Sequence, residues 1–126
     1  MGILVGMSEK DPAVEDLLPL SSATFHILLA LGGDDRHGYG IIQDVAASTS
    51  GALKLSAGTL YRTIQRMLEQ DLIVETSERP APDLDDERRR YYRITRFGTA
   101  VARAEVVRLT RLVRLARASG FARGKA

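Results

Sequence analysis

The spacing of apolar residues along this chain changes after Asp71, and that change restricts the folds open to it. Between Leu20 and Gln70 the apolar residues recur mostly every three or four positions, as along one side of a helix. Leu72–Thr76 is instead rich in β-branched residues, and Arg90–Thr95 is a second short segment of strand character. A charged loop that contains prolines separates these two segments, so we predict a β-hairpin after the helices.

Three helices are predicted before the hairpin. The first follows Pro19–Ser22, where a serine can act as the cap, and ends at Gly32-Gly33. The second follows His37 and ends at Ser50-Gly51, and the third begins with Ser56 as its N-cap. The apolar faces of the second and third helices are predicted to be Tyr39, Ile42, Val45 and Ala46, and Leu60, Ile64, Met67 and Leu68.

A fourth, long helix is predicted from Phe97 to Ala118. Steps of four and three residues along it make a heptad seam, which consists of Gly98, Ala102, Glu105, Leu109, Leu112 and Ala116. Such a stripe must be buried, either against its own domain or against a second copy of the chain. Because this helix comes last and is long for so small a core, we favour a homodimer whose interface is the seam from Ala102 onward.

The 126 residues are enough for one compact domain. Residues 1–17 mix glycine and acidic residues without sustained periodicity, so we predict a flexible N-terminal arm. We assign residues 18–95 to the folded domain, 96–119 to the C-terminal dimerisation helix and 120–126 to a tail.

The composition excludes several classes of protein. The absence of cysteine excludes disulfides, thiol nucleophiles and Cys-ligated zinc. No apolar run approaches the roughly 18 residues that cross a bilayer, and residues 1–8 lack the basic start of a signal peptide. No catalytic constellation or metal-ligand cluster stands out. We therefore expect a cytoplasmic protein with no enzymatic activity, no cofactor, no metal and no membrane partner.

Positive charge gathers towards the C-terminal end, although the net charge is only +2. After Thr95 many arginines are opposed by a single acidic residue, Glu105. This asymmetry of charge is typical of proteins that bind phosphate groups. The solvated face of a surface helix would give the same pattern.

Three helices followed by a two-stranded wing make the winged helix-turn-helix arrangement, in which the third helix enters the DNA major groove. Opposite its core stripe this helix presents Gly58, Thr59, Arg62, Thr63 and Arg66. Arg62 and Arg66 can contact guanine bidentately, and Thr59 and Thr63 can reach phosphates or bases. Gly58 allows close approach, the helix start at Ser56 favours a phosphate, and Tyr61 can touch the backbone. The alternative is the polar side of an ordinary surface helix.

The wing carries a mixed set of charges. Arg88, Arg89 and Arg90 follow an acidic run that consists of Asp83, Asp85, Asp86 and Glu87. We expect the arginines to approach the DNA backbone, with the acidic residues held outward or paired to them. A solvated charged loop is the alternative. Within Arg90–Thr95, Tyr91 and Tyr92 are predicted on opposite faces of the strand.

Four motifs together resemble one known family. They are Leu20–Leu31, His37-Gly38-Tyr39, Leu55–Tyr61, and Arg90–Thr95 with Gly98. At these separations the chain resembles the PadR family over roughly residues 18–119. The resemblance implies a dimeric winged-helix regulator, usually a repressor, whose C-terminal helix forms the dimer and whose DNA is released by a small molecule bound near that helix. With its single C-terminal helix the chain looks like the short subgroup.

Two departures from the family pattern bear on DNA contact. Arg62 stands where a proline is common, which adds a candidate base-reading residue. The wing tip lacks the usual Gly/Pro-Arg-Lys sequence.

We therefore predict a mainly α protein with a small β-hairpin: a winged helix-turn-helix domain and a long C-terminal dimerisation helix. Its predicted function is sequence-specific binding, as a homodimer, to a near-palindromic operator in double-stranded DNA, with repression relieved by a small-molecule effector. The main alternative is a winged-helix protein-interaction module without DNA-reading activity. Insensitivity to duplex DNA at low salt would favour that alternative.

Overall fold

The computed structural model describes residues 11–77 and 90–121, which form five helices and three strands. In chain order they are α1 (Pro12–Glu15), α2 (Ser22–Leu31), β1 (Arg36–His37), α3 (Gly38–Ser48), α4 (Ala57–Glu69), β2 (Ile73–Thr76), β3 (Tyr91–Ile94) and α5 (Arg96–Ala118). The strands form one antiparallel sheet in the order β1-β3-β2. This mainly helical fold with a small sheet and a long last helix confirms the predicted fold class, with one strand more than the expected hairpin.

Side-chain caps set the start of each long helix. Ser21, Ser56 and Thr95 each accept a hydrogen bond from a backbone N–H in the first turn of α2, α4 and α5. The imidazole of His37 does the same for α3, through Nδ1 and the N–H of Gly40 at 3.0 Å. Each cap satisfies a donor that the helix itself leaves unpaired, so the predicted starts of α2 and α4 are confirmed.

The core lies between α2, α3, α4, the sheet and the first half of α5. Its most deeply buried residues include Ile27, Leu28, Ile41, Val45, Leu60, Met67, Leu72, Ile73 and Val101. The predicted apolar face of α4 is confirmed, because Leu60, Ile64 and Met67 are all buried. For α3 the prediction is partly wrong: Tyr39 is 60% exposed, and Ile41 occupies the core. The buried side of α3 therefore contains Ile41 and Val45 and is rotated about the helix axis from the predicted side.

Strand β1 is absent from the sequence prediction because two residues are too few to show a period. Arg36 pairs with Tyr92 and His37 with Tyr91, so β1 covers the free edge of β3. The ring of His37 packs edge-on against Tyr91, with 5.2 Å between the ring centroids. Tyr91 and Tyr92 are consequently both buried, although strand alternation predicts only one of them towards the core.

The segment that begins at Asp11 differs from the predicted flexible arm. Asp11 caps the short helix α1, Val14 is completely buried, and Leu17 and Leu18 pack against the core. Helix α1 lies against α5. The prediction is therefore wrong for residues 11–17, because three apolar side chains suffice to dock this short segment on the rest of the domain. Residues 1–10 lie outside the described part of the chain.

Helix α5 begins in close contact with Leu72, the residue between α4 and β2 that directly precedes β2. A Cβ atom built on Gly98 would overlap the carbonyl oxygen of Leu72, and only glycine avoids this clash. The N–H of Thr95 donates to the same carbonyl at 3.0 Å. Gly98 therefore belongs to the packing within the domain. Among the described helices none is long and apolar enough to cross a membrane.

Candidate nucleic-acid interface

The outward side of α4 is a row of exposed residues opposite the buried Leu60, Ile64 and Met67. Steps of four, three and four residues define this row, which consists of Gly58, Arg62, Gln65 and Glu69. Arg66 is exposed beside it. We call these five residues the α4 outer face. The sequence prediction includes Gly58, Arg62 and Arg66 but misses Gln65 and Glu69, which a helical wheel centred on the core residues would find.

The two arginines of the α4 outer face are available for a ligand. Neither guanidinium forms an ion pair with a carboxylate of the described residues. The side chain of Arg62 folds back over the helix start, where Nη1 would lie 3.3 Å from a Cβ on Gly58 and Nη2 lies 3.5 Å from Oγ1 of Thr59. Gly58 thus leaves room for the guanidinium beside the backbone.

The hydroxyl groups at the start of α4 are used within the helix. Oγ of Ser56 accepts from the N–H of Thr59 and donates to Oγ1 of Thr59, both at 3.1 Å. Oγ1 of Thr63 donates to the carbonyl of Thr59 at 2.7 Å, and the Thr63 side chain is only half-exposed. These contacts give Ser56 a capping role and turn Thr63 away from the α4 outer face.

Tyr61 fixes the position of α4 against α3. Its hydroxyl would overlap a Cβ built on Gly38, so the tyrosine rests directly on the first residue of α3. About half of its side chain remains exposed. Tyr61, Arg90 and Tyr92 line a groove of about 460 Å³ between α4 and the sheet. Burial and the nearby Glu75 raise the pKa of Tyr92, so its hydroxyl stays protonated at neutral pH.

The described part of the wing presents one strongly exposed arginine. Nη1 of Arg90 lies 3.8 Å from Oε1 of Glu75; the Arg90 side chain is largely in solvent and that of Glu75 is about half exposed. Such a surface ion pair is weak, so Arg90 can exchange Glu75 for a phosphate. Arg93 is instead held by Asp35 at 2.7 Å. Arg88, Arg89 and the acidic tip lie outside the described residues.

The predicted dimer seam divides into two halves. Ala102 packs partly against the domain's own core, and Glu105 is only 2% exposed. The Glu105 carboxylate accepts from the Arg108 guanidinium, at 2.9 Å from Nη2, and from the N–H of Leu20 at 3.1 Å. The bond from Arg108 is the main cause that lowers the pKa of Glu105. The predicted role of Glu105 in a dimer interface is therefore wrong, because this carboxylate is enclosed by its own chain.

Beyond Arg108 the apolar side of α5 has no cover within the described part of the chain. Leu112 is 47% and Leu115 63% exposed, and Val113 is similarly open. Leu109 and Ala116 are partly exposed along the same helix. Apolar side chains that project from the end of a helix past its own domain are typical of a surface that another protein covers.

A second groove, of about 670 Å³, lies where the chain between α1 and α2 meets α5. Leu18, Pro19, Ala104 and Val107 provide apolar walls, and the polar members of the lining are Glu15, Arg108 and Arg111. Arg111 has no ion pair with a described carboxylate. No group of three side chains suited to holding a metal ion occurs among residues 11–77 and 90–121.

One known protein matches about half of the chain in sequence. A relative from Lysinibacillus sphaericus, called uncharacterized protein X, is 36% identical over 67 residues, which are 52% of this chain and 58% of that protein. The chain thus spans little more than half of this relative's length.

Solved structures share the fold at low sequence identity. A transcriptional regulator from Clostridium thermocellum has a TM-score of 0.64 at 22% identity, covering 78% of this chain and 95% of that one. A PadR family transcription regulator from Clostridium difficile has a TM-score of 0.64 at 20% identity, covering 77% and 96%. RosR of H. salinarum has a TM-score of 0.57 at 22% identity, covering 79% of each chain.

The model of the transcriptional regulator PadR-like family matches residues 27–104, from the core of α2 to the middle of α5. The match includes β1, the α4 outer face and the wing, and it extends over more than half of the chain. The protein therefore belongs to the PadR-like family of transcriptional regulators.

Proposed function

We propose that this regulator is a sequence-specific DNA-binding repressor that acts as a homodimer and leaves its operator when a small molecule binds. The observation that carries the proposal is the α4 outer face, where Arg62 and Arg66 are exposed and form no ion pair with a described carboxylate. In a winged helix-turn-helix protein this helix lies in the major groove. A bidentate contact from an arginine to guanine discriminates against a wrong base by about 1–3 kcal/mol.

Other positively charged side chains have a different role in this scheme. Arg90, together with the neighbouring Arg88 and Arg89, is proposed to approach the sugar-phosphate backbone, as is Tyr61. Such contacts hold the protein on any duplex and carry no sequence information. Their removal lowers the affinity for every DNA sequence alike. It also reduces the slope of log K against log salt concentration by about 0.9 for each phosphate that is no longer neutralised.

The exposed half of α5 supports the dimer. A second copy related by a twofold axis would cover Leu109, Leu112 and Ala116, with Val113 and Leu115 beside them. Twofold symmetry presents two copies of α4 to one side of a duplex, about 34–36 Å apart for half-sites one helical turn apart. The operator of such a dimer is near-palindromic.

The groove between Pro19 and α5 supports the effector part of the proposal. Its apolar walls favour the apolar body of a ligand, and Arg111, which forms no ion pair with a described carboxylate, favours an anionic group on it; Arg108 is already held by Glu105. 8-Anilinonaphthalene-1-sulfonate has this chemistry, and we expect Arg111→Ala to weaken its binding. Arg114→Ala removes an exposed arginine of the same helix that does not line the groove, so it is the matched control. Equal binding by both variants would contradict this site.

The DNA-binding part is tested by comparing two double variants that remove the same charge. We expect Arg62→Ala with Arg66→Ala to lower affinity for the selected operator by at least about 30-fold, from two contacts of about 1–3 kcal/mol each. Arg103→Ala with Arg114→Ala, on exposed positions of α5, should change it little. Unchanged operator binding after removal of Arg62 and Arg66 would show that the reading face is wrong. No binding of wild-type protein to any duplex at low salt would favour the protein-interaction module instead.

A further inference from the structure

Gln65 stands at the middle of the α4 outer face, and its side chain is exposed. Its amide makes no hydrogen bond within the described part of the chain. The side chain also borders the groove that Tyr61 and Arg90 line between α4 and the wing. An exposed amide without an internal partner, placed between a base-reading arginine and a phosphate-binding wing, is free to bind a ligand on that side.

We propose that Gln65 determines the base preference at one A·T pair of the operator, close to a G·C pair read by Arg62. This inference rests on the proposed function, because it assigns a base to a residue of the same reading helix. The carboxamide of glutamine carries a donor and an acceptor side by side. Adenine presents the complementary pair, the N7 acceptor and the N6 amino donor, in the major groove.

The position of Gln65 along α4 fits a base pair near the one that Arg62 reads. Three residues of α-helix advance by about 4.5 Å, whereas successive bases along one strand are about 3.4 Å apart. Because Arg62 and Gln65 both belong to the α4 outer face, they would point into the DNA major groove together. The two bases are therefore adjacent or separated by one base pair.

The surroundings of Gln65 restrict how α4 can enter the DNA major groove. Tyr61, one turn before Gln65, is fixed against Gly38 and limits rotation of the helix about its axis. Glu69, one turn beyond, places a carboxylate at the end of the same row, where it would repel backbone phosphates. The DNA major groove is consequently read by the turns of α4 that precede Glu69. Within these turns Gln65 is the last uncharged polar residue of the α4 outer face.

The test is selection of operators from a pool of random duplexes by three forms of the full chain: wild type, Gln65→Ala and Gln43→Ala. Gln43 is an exposed glutamine of α3 outside the α4 outer face, so its replacement is the matched control. For wild type and Gln43→Ala we expect a guanine and an adenine within two base pairs in each half-site. For Gln65→Ala we expect the preference for adenine to fall about tenfold while the guanine is retained.

A variant that carries a negative charge, Gln65→Glu, tests more specifically whether Gln65 binds the adenine. Gln65→Glu replaces the donor of the amide by a second acceptor, and an acidic side chain accepts from the N4 amino group of cytosine. We expect the selected base to change from adenine to cytosine at that one position. Circular dichroism spectra that match wild type show that each variant is folded.

The outcomes separate this inference from the proposed function. If wild type selects a defined sequence and Gln65→Ala and Gln65→Glu keep every base preference, Gln65 is not a reading residue and the inference is wrong. If folded wild-type protein enriches no sequence at all, the proposed function itself fails.

Discussion

The carboxylate of Glu105 accepts a hydrogen bond from the backbone N–H of Leu20 at 3.1 Å, which joins α5 to the segment before α2. Arg108 binds the same carboxylate from the solvent side. A glutamate that interrupts an apolar heptad seam is thereby satisfied within one chain. The contact explains how a charged group is tolerated at 2% exposure and how the first half of α5 is held to its own domain.

Glu105→Ala is expected to destabilise the fold. The substitution leaves the part-buried N–H of Leu20 without its acceptor, and an unsatisfied buried donor costs about 1–3 kcal/mol. The guanidinium of Arg108 is partly exposed, so water can replace its lost acceptor. Urea unfolding followed by circular dichroism measures the decrease in stability. Glu69→Ala removes an exposed glutamate from another helix and should stay within about 0.5 kcal/mol of wild type. Equal effects of the two substitutions would contradict the buried role of Glu105.

The same carboxylate predicts a dependence of stability on pH. The hydrogen bond from Arg108 lowers the pKa of Glu105 in the folded state below its ordinary value of 4.5. The contribution of the ionised Glu105 carboxylate to the free energy of unfolding is therefore fully present above its unfolded-state pKa. It is lost as the pH falls through the lower, folded-state pKa. The difference in unfolding free energy between wild type and Glu105→Gln should shrink as the pH falls below 4.5. A difference that stays constant in acid would show that this carboxylate is not stabilised as an anion.

Gly98→Ala is expected to be strongly destabilising. The new Cβ would overlap a backbone carbonyl, that of Leu72, which cannot move without displacing the adjoining start of β2. Overpacking of this kind costs about 1–3 kcal/mol or more, seen as a lower midpoint of thermal unfolding. Gly33→Ala is the control, because a Cβ there meets nothing within 4 Å. An unchanged midpoint for Gly98→Ala would contradict the close contact between α5 and Leu72.

Leu112→Ser with Leu115→Ser is expected to convert a dimer into a monomer. Both side chains lie on the uncovered half of α5, so their replacement would remove apolar contacts with the proposed second copy without disturbing the domain core. Light scattering coupled to gel filtration should give twice 13.8 kDa for wild type and 13.8 kDa for the variant. Val74→Ser, at an exposed valine of β2, should remain dimeric. A monomeric wild type would rule out the proposed assembly.

The elements that can be predicted from sequence are those with long, repeated patterns. Helix α4 has a cap and a strict apolar repeat, Leu60, Ile64 and Met67, so both its start and its buried face are predictable. The two-residue strand β1 and the four-residue helix α1 carry too few side chains for any period. Their positions depend on Tyr91 and α5, which are distant in sequence.

The candidate site is predictable in part for a related reason. Its apolar side follows from the spacing of the core residues, which identifies the opposite arginines Arg62 and Arg66. The distinction between Thr63, whose hydroxyl bonds to the preceding turn, and Gln65, whose amide has no partner among the described residues, depends on the orientation of α4 in the core. The seam of α5 likewise cannot show that Glu105 meets its own chain, because a heptad pattern does not specify which partner covers it.

The proposed reading of duplex DNA by two symmetric copies of α4 is most directly tested by a hydroxyl-radical footprint of the protein on its selected operator. We expect two protected patches whose centres are about 10–10.5 base pairs apart, both absent with Arg62→Ala and Arg66→Ala combined. A footprint that this double variant leaves unchanged, or a single patch without symmetry, would contradict the assignment.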